Sequence, residues 1–81
     1  MITPTQPGAP IIQWYEVDAK HFGSIGYSMA TRKLFIKFHE GGTLCFEKVP
    51  GFRVEGLKAA ARKDAYYDTY IREKFLTKKV S

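Results

Sequence analysis

The pattern of apolar and polar positions changes period along the chain. From Arg32 to His39, Leu34, Ile36 and Phe38 alternate with Phe35, Lys37 and His39, and from Thr43 to Val49, Leu44 and Phe46 alternate with Cys45 and Glu47. A period of two sends successive side chains to opposite faces of an extended chain, so each run predicts a half-buried strand. Glu40-Gly41-Gly42 between them predicts a tight hairpin, because glycine takes the positive φ that such a turn needs. Leu34, Ile36, Phe38, Leu44 and Phe46 then form the core face of a sheet. A shorter strand is expected within His21–Ser28, where Gly26 marks a bulge or a close approach to the backbone.

After Pro50-Gly51 the period lengthens. Val54, Leu57, Ala60 and Ala61 fall at helical spacing, and Tyr67, Tyr70, Ile71 and Phe75 repeat it. This predicts either two helices or one long helix broken near Lys63–Asp64, with Asp64 as the internal N-cap. Tyr67 and Tyr70 fit the buried stripe and Tyr66 lies off it. Strands followed by helices give an α+β fold: an antiparallel three-stranded meander, then one or two C-terminal helices packed on one sheet face.

The N-terminal segment obeys neither period. Pro4, Pro7 and Pro10 disfavour both helix and central strand, leaving an extended arm. Ile11–Val17 follows as an added strand or strap, and if it is extended Trp14 and Tyr15 point to opposite faces. Ile11, Ile12, Trp14 and Tyr15 are the candidate surface for self-association or for docking on another protein. The expected organisation is a Pro-rich arm and strap over 1–20, a domain over 21–76 and a basic tail over 77–81.

Composition narrows the function. The 81 residues fit one domain, and 44% apolar with 15% aromatic side chains is a globular composition. The net charge of +5 and a pI near 9.5 favour anionic partners. From Arg53 onward, eight basic residues face four acidic ones, so this half carries 8 − 4 = +4. The lone Cys45 can form no intrachain disulfide and suits a reducing compartment. The N-terminus lacks a basic stretch leading into an apolar one, and no apolar run is long enough to span a bilayer. The expectation is a cytoplasmic protein with no membrane partner.

Catalytic chemistry finds no purchase. His21, His39 and Cys45 lack zinc-ligand spacing, Cys45 has no oriented base, and Gly41-Gly42 is a hairpin turn, not a phosphate loop. Asp64 and Asp68 read as a cap and an i,i+4 partner of Arg72. The chain is therefore expected to be non-enzymatic, without metal or cofactor.

The basic and aromatic residues carry the functional expectation. Arg32, Lys37, Arg62, Lys63, Arg72 and Lys74 would hold phosphates, while Tyr27 or Tyr66 would stack on bases. Phe35, facing away from the core, is a further stacking position. The reading is a binding module for nucleic acid (RNA or single strands) or another phosphate-bearing ligand. The alternative is a small homo-oligomeric interaction protein, such as a phage protein that binds a host protein or sequesters a nucleotide signal.

The order of these pieces resembles the KTSC domain, a short module found at the C-terminus of some lysyl-tRNA synthetases and as small standalone bacterial and phage proteins. The resemblance runs from His21 to Phe75. It is carried by Ser24-Ile25-Gly26-Tyr27, Leu34-x-Ile36-x-Phe38, Gly41-Gly42, Leu44-x-Phe46, Val49-Pro50, Val54-Glu55-x-Leu57, Tyr66-Tyr67 and Ile71-Arg72. It implies a meander followed by helices and a nucleic-acid-binding role, with Tyr27 and Arg72 the positions to test. The chain departs from the family pattern in two places. Arg62-Lys63-Asp64-Ala65 replaces a Ser-x-Gly break, and Leu44 and Phe46 stand where the family usually has tyrosines.

Overall fold

A computed structural model describes residues 12–80. Five strands form one antiparallel sheet in chain order: β1 (Gln13–Glu16), β2 (Phe22–Ser28), β3 (Lys33–Phe38), β4 (Thr43–Phe46) and β5 (Thr77–Lys79). Two helices, α1 (Gly51–Ala59) and α2 (Lys63–Tyr66), lie between β4 and β5, and α2 runs on into a π-helical turn over Tyr67–Ile71.

The alternation along β3 and β4 is realised as read. Leu34 and Ile36 are fully buried with Phe46, while Phe38 and Leu44 pack against that cluster at its margin. Gly41 and Gly42 take φ of 98° and 85°, and the Phe38 N–H donates to the Gly42 carbonyl at 3.0 Å to close the hairpin. Val54, Leu57 and Ile71 bring both helices onto this same face.

Among the described residues the sheet has five strands, not three. Ile11–Val17 supplies β1, paired so that Trp14 lies opposite Gly26 and Tyr15 opposite Ile25. The expected C-terminal tail supplies β5, with Phe46 opposite Thr77 and Leu44 opposite Lys79. Thr77-Lys78-Lys79 shows no apolar alternation because all three side chains are exposed, so backbone pairing, with the Lys78–Glu47 ion pair, places this edge strand. The arm up to Ile11 lies outside the described residues.

A bulge also departs from strict alternation. The β2–β3 register slips between Phe22 and Ser24. The extra residue returns Phe22 to the helix-covered face beside Ile25, where simple alternation would have turned it outward.

Asp64 is not an N-cap. Arg62 occupies that position without a side-chain bond, and the Asp64 carboxylate instead accepts the backbone N–H groups of Lys20 at 2.6 Å and His21 at 3.1 Å. The π turn also alters the helical phase. Closed by the Arg72 N–H donating to the Tyr67 carbonyl at 2.8 Å, it adds a residue to the turn. Ile71 is buried and Tyr70 is left 40% exposed, while Tyr66 turns inward against Gly56.

Candidate nucleic-acid interface

Both helices cover one face of the sheet, and among the described residues no helix or strand covers the opposite face. Cross-strand register sets Trp14, Gly26, Phe35, Cys45 and Lys78 in one row across that open face. Gly26 lets the Trp14 indole lie on the β2 backbone. A Cβ there would come within 2.7 Å of the ring and within 2.9 Å of the Ile12 side chain. Trp14 keeps 43% of its surface exposed, and its ring centroid is 6.2 Å from that of Phe35.

Lys37, two residues from Phe35 and so on the same face, places its ammonium 4.5 Å from the centre of the Trp14 ring. Lys33 follows at the other side of Phe35 along β3. Lys78 is held by Glu47 at 3.0 Å, and that hydrogen bond draws the Glu47 carboxyl below its ordinary range. Lys33 and Lys37 make no ion pair among the described residues. Cys45 sits below this surface, and burial pushes its thiol up, away from the reactive thiolate.

The basic and aromatic residues expected from sequence are not gathered on one surface. Lys37 is on the open face. Arg32, at φ 59°, belongs to the β2–β3 turn. Arg62 and Lys63 lie on the helix side, where Lys63 Nζ donates to the Ala60 carbonyl at 2.9 Å. Arg72, with Lys74 just beyond it, follows the π turn and sits 3.7 Å from Asp68 in the expected i,i+4 pair. Arg72 lines a cleft with His39 and Glu40 at the β3–β4 end of the sheet, the end opposite Arg32.

Tyr27 is corrected outright as a stacking position. It is buried on the helix-covered face and donates its hydroxyl to the Val49 carbonyl at 2.6 Å, so no ring face is free for a base. Tyr66 is half-buried with its ring against Gly56 and 4.7 Å from the ring of Tyr70. The candidate partner surface also divides. Ile12 and Trp14 share the open face, whereas Tyr15 lies on the other, beneath the Lys58 ammonium at 3.9 Å.

Two groupings escape a reading of the sequence. On the helix side, the Arg53 guanidinium stacks 4.4 Å from Tyr70 and 5.1 Å from the exposed ring of Phe52. On the open face, Trp14 meets Lys37 only through the register of three strands. A glycine in mid-strand close to an aromatic strand was the available signal.

A family model, the KTSC domain, matches residues 19–75. The chain belongs to the KTSC domain family. A crystal structure of a KTSC domain protein from Yersinia pestis is similar to it with a TM-score of 0.84 and 32% sequence identity, over 88% of this chain and 100% of that one. The likeness thus extends beyond residues 19–75 into the flanks. No curated protein matches. Within this KTSC domain, Leu44 and Phe46 form part of the core margin and the core, so the hydroxyls of the usual tyrosines are not required for folding here.

Proposed function

We propose that this KTSC domain is a non-enzymatic module for single-stranded nucleic acid, RNA in the first instance, bound on the open face of the sheet. The supporting observation is the Trp14 ring, packed against Gly26, partly exposed, and flanked by Phe35 and Lys37. Bases stack on exposed aromatic faces whatever their sequence, and adjacent lysines neutralise the phosphates between them. Lys37 covers the indole in the free protein. A base would take its place on the ring and free the ammonium for a phosphate.

Trp14 is the chain's sole tryptophan, so its fluorescence reports this surface directly. Titration with a short single-stranded RNA should quench it, with an affinity that falls as salt rises, about 0.7 log units per log unit of salt for each phosphate contacted. Trp14→Ala should weaken binding by about 1–3 kcal/mol, followed by labelled RNA. Lys37→Ala should lower the salt slope by roughly one contact. A protein that neither binds nor is quenched at low salt lacks this function.

A second reading rests on β1 being, among the described residues, a terminal strand of the sheet with one side of its backbone unpaired. Such an edge can pair with a second copy. Light scattering after size exclusion separates the two readings, since a monomer at all concentrations removes the second.

A further inference from the structure

The β3–β4 end of the sheet carries a cleft of about 570 Å³ that plays no part in the open-face reading. Its volume falls within the range of small-molecule sites. One wall is the hairpin end, with Phe38, His39 and Glu40, and the other is the helical segment, with Tyr67, Asp68 and Arg72. Lys20 and His21 close it on the third side.

The walls are tied together. The Asp64 carboxylate takes the N–H groups of both Lys20 and His21, fixing that loop to α2. His39 Nε2 lies 3.3 Å from the Ala19 carbonyl, and the absence of a side chain at Gly23 makes room for the imidazole. Tyr67 is held by ring contacts with Phe22, Phe38 and Phe46 at 5.7–5.9 Å. The cleft is therefore formed in advance of any ligand.

Its chemistry is mixed in a specific way. Lys20 and Arg72 supply cations, and Arg72 is 60% exposed and only loosely paired with Asp68 at 3.7 Å, so its planar fork remains open to an anion. Phe38 and Tyr67, packed edge to face with their planes at 71°, supply an aromatic side to the cleft. Three carboxylates also line it: Asp64 is engaged by the Lys20 and His21 amides, which leaves Glu40 and Asp68 as acceptors for N–H donors. A bare phosphate would use the cations and be repelled by the carboxylates. A ligand with a phosphate, a planar ring and ring N–H groups uses all three.

We propose that this cleft binds a nucleoside monophosphate, either free or as the phosphorylated end of a strand. Arg72 and Lys20 hold the phosphate, the base lies against the Phe38–Tyr67 side, and Glu40 or Asp68 accepts from its N–H edge. The site is independent of Trp14, and its test is separable from that of the open face.

The experiment is a ¹H–¹⁵N titration of the full chain with AMP, GMP, CMP and UMP, alongside inorganic phosphate and the unphosphorylated nucleosides. At least one monophosphate should shift the amides of Lys20, His21, His39 and Glu40 saturably at millimolar concentration or below. Phosphate and nucleoside alone should each bind about tenfold or more weakly. Arg72→Ala should weaken the monophosphate about tenfold while keeping a folded spectrum, and Trp14→Ala should leave it unchanged. Competition by a 5′-phosphorylated oligonucleotide, but not by its dephosphorylated form, assigns the site to a strand end; no competition assigns it to the free nucleotide. Absence of saturable shifts at the cleft with all four nucleotides, or wild-type affinity in Arg72→Ala, overturns the proposal.

Discussion

Gly26 and Trp14 act as one unit. In most strands alanine outperforms glycine by about 0.5–1 kcal/mol, because glycine loses more chain entropy on folding. Here an added Cβ would fall 2.7 Å from Cε3 and 2.8 Å from Cδ2 of the indole, both in the fused part of the ring, which cannot swing aside like a flexible tip. Overpacking of this kind costs about 1–3 kcal/mol, so Gly26→Ala should destabilise despite the better propensity. Its tryptophan emission should shift to the red as the ring lifts off β2. Tyr27 offers a second test. Tyr27→Phe removes the donor to the buried Val49 carbonyl and should cost about 1–3 kcal/mol in chemical denaturation, while leaving RNA binding at the open face intact. Loss of RNA binding in a folded Tyr27→Phe protein would return Tyr27 to the site.

Among the elements, α2 depends most on one side chain. Burial raises the Asp64 carboxyl, but the N–H groups of Lys20 and His21, with the charges nearby, outweigh it and leave the group below its ordinary 3.8. A carboxyl that titrates lower when folded stabilises the protein above its unfolded value, and that contribution disappears as pH falls through the folded value. Asp64→Ala should therefore lower stability at neutral pH by about 1 kcal/mol, discounted for solvent access, and should flatten the acid limb of the stability profile below about pH 4. An unchanged acid limb would remove Asp64 from this role. The legibility of the elements follows from how each is held. β3 and β4 bury one face, so their periodicity prints in the residues, and the two glycines mark their turn. β5 buries no side chain and β1 buries little, so neither prints a full pattern. The π turn between Tyr67 and Ile71 rotates the helical stripe, which is why Tyr66 and Tyr70 exchange their expected environments. The site was legible in kind, as aromatics beside cations, but not in place. Phe35 was readable as outward-facing, whereas the approach of Lys37 to Trp14 depends on cross-strand register that spacing along one strand does not contain.

At the scale of the whole molecule, two chemically different surfaces share one sheet. The helix-covered face supplies stability through Phe22, Ile25, Leu34, Ile36 and Phe46, and the open face is free to vary in what it presents. Substitutions at Lys33 or Lys37 should therefore change ligand binding with little change in melting temperature. Every strand also pairs only with its neighbours in the chain, in the order β1-β2-β3-β4-β5. The β1–β2, β2–β3 and β3–β4 hairpins can each close over a short loop, whereas β5 must return past both helices to reach β4, so folding should be a single phase on the order of milliseconds. The clasp from Asp64 to Lys20 and His21 spans 44 and 43 residues, so it should form after the rate-limiting step. Stopped-flow measurements on Asp64→Ala should then show a steeper loss through faster unfolding, with the refolding rate almost unchanged. In the native protein this one carboxylate would set how long the molecule stays folded and have little influence on how quickly it gets there.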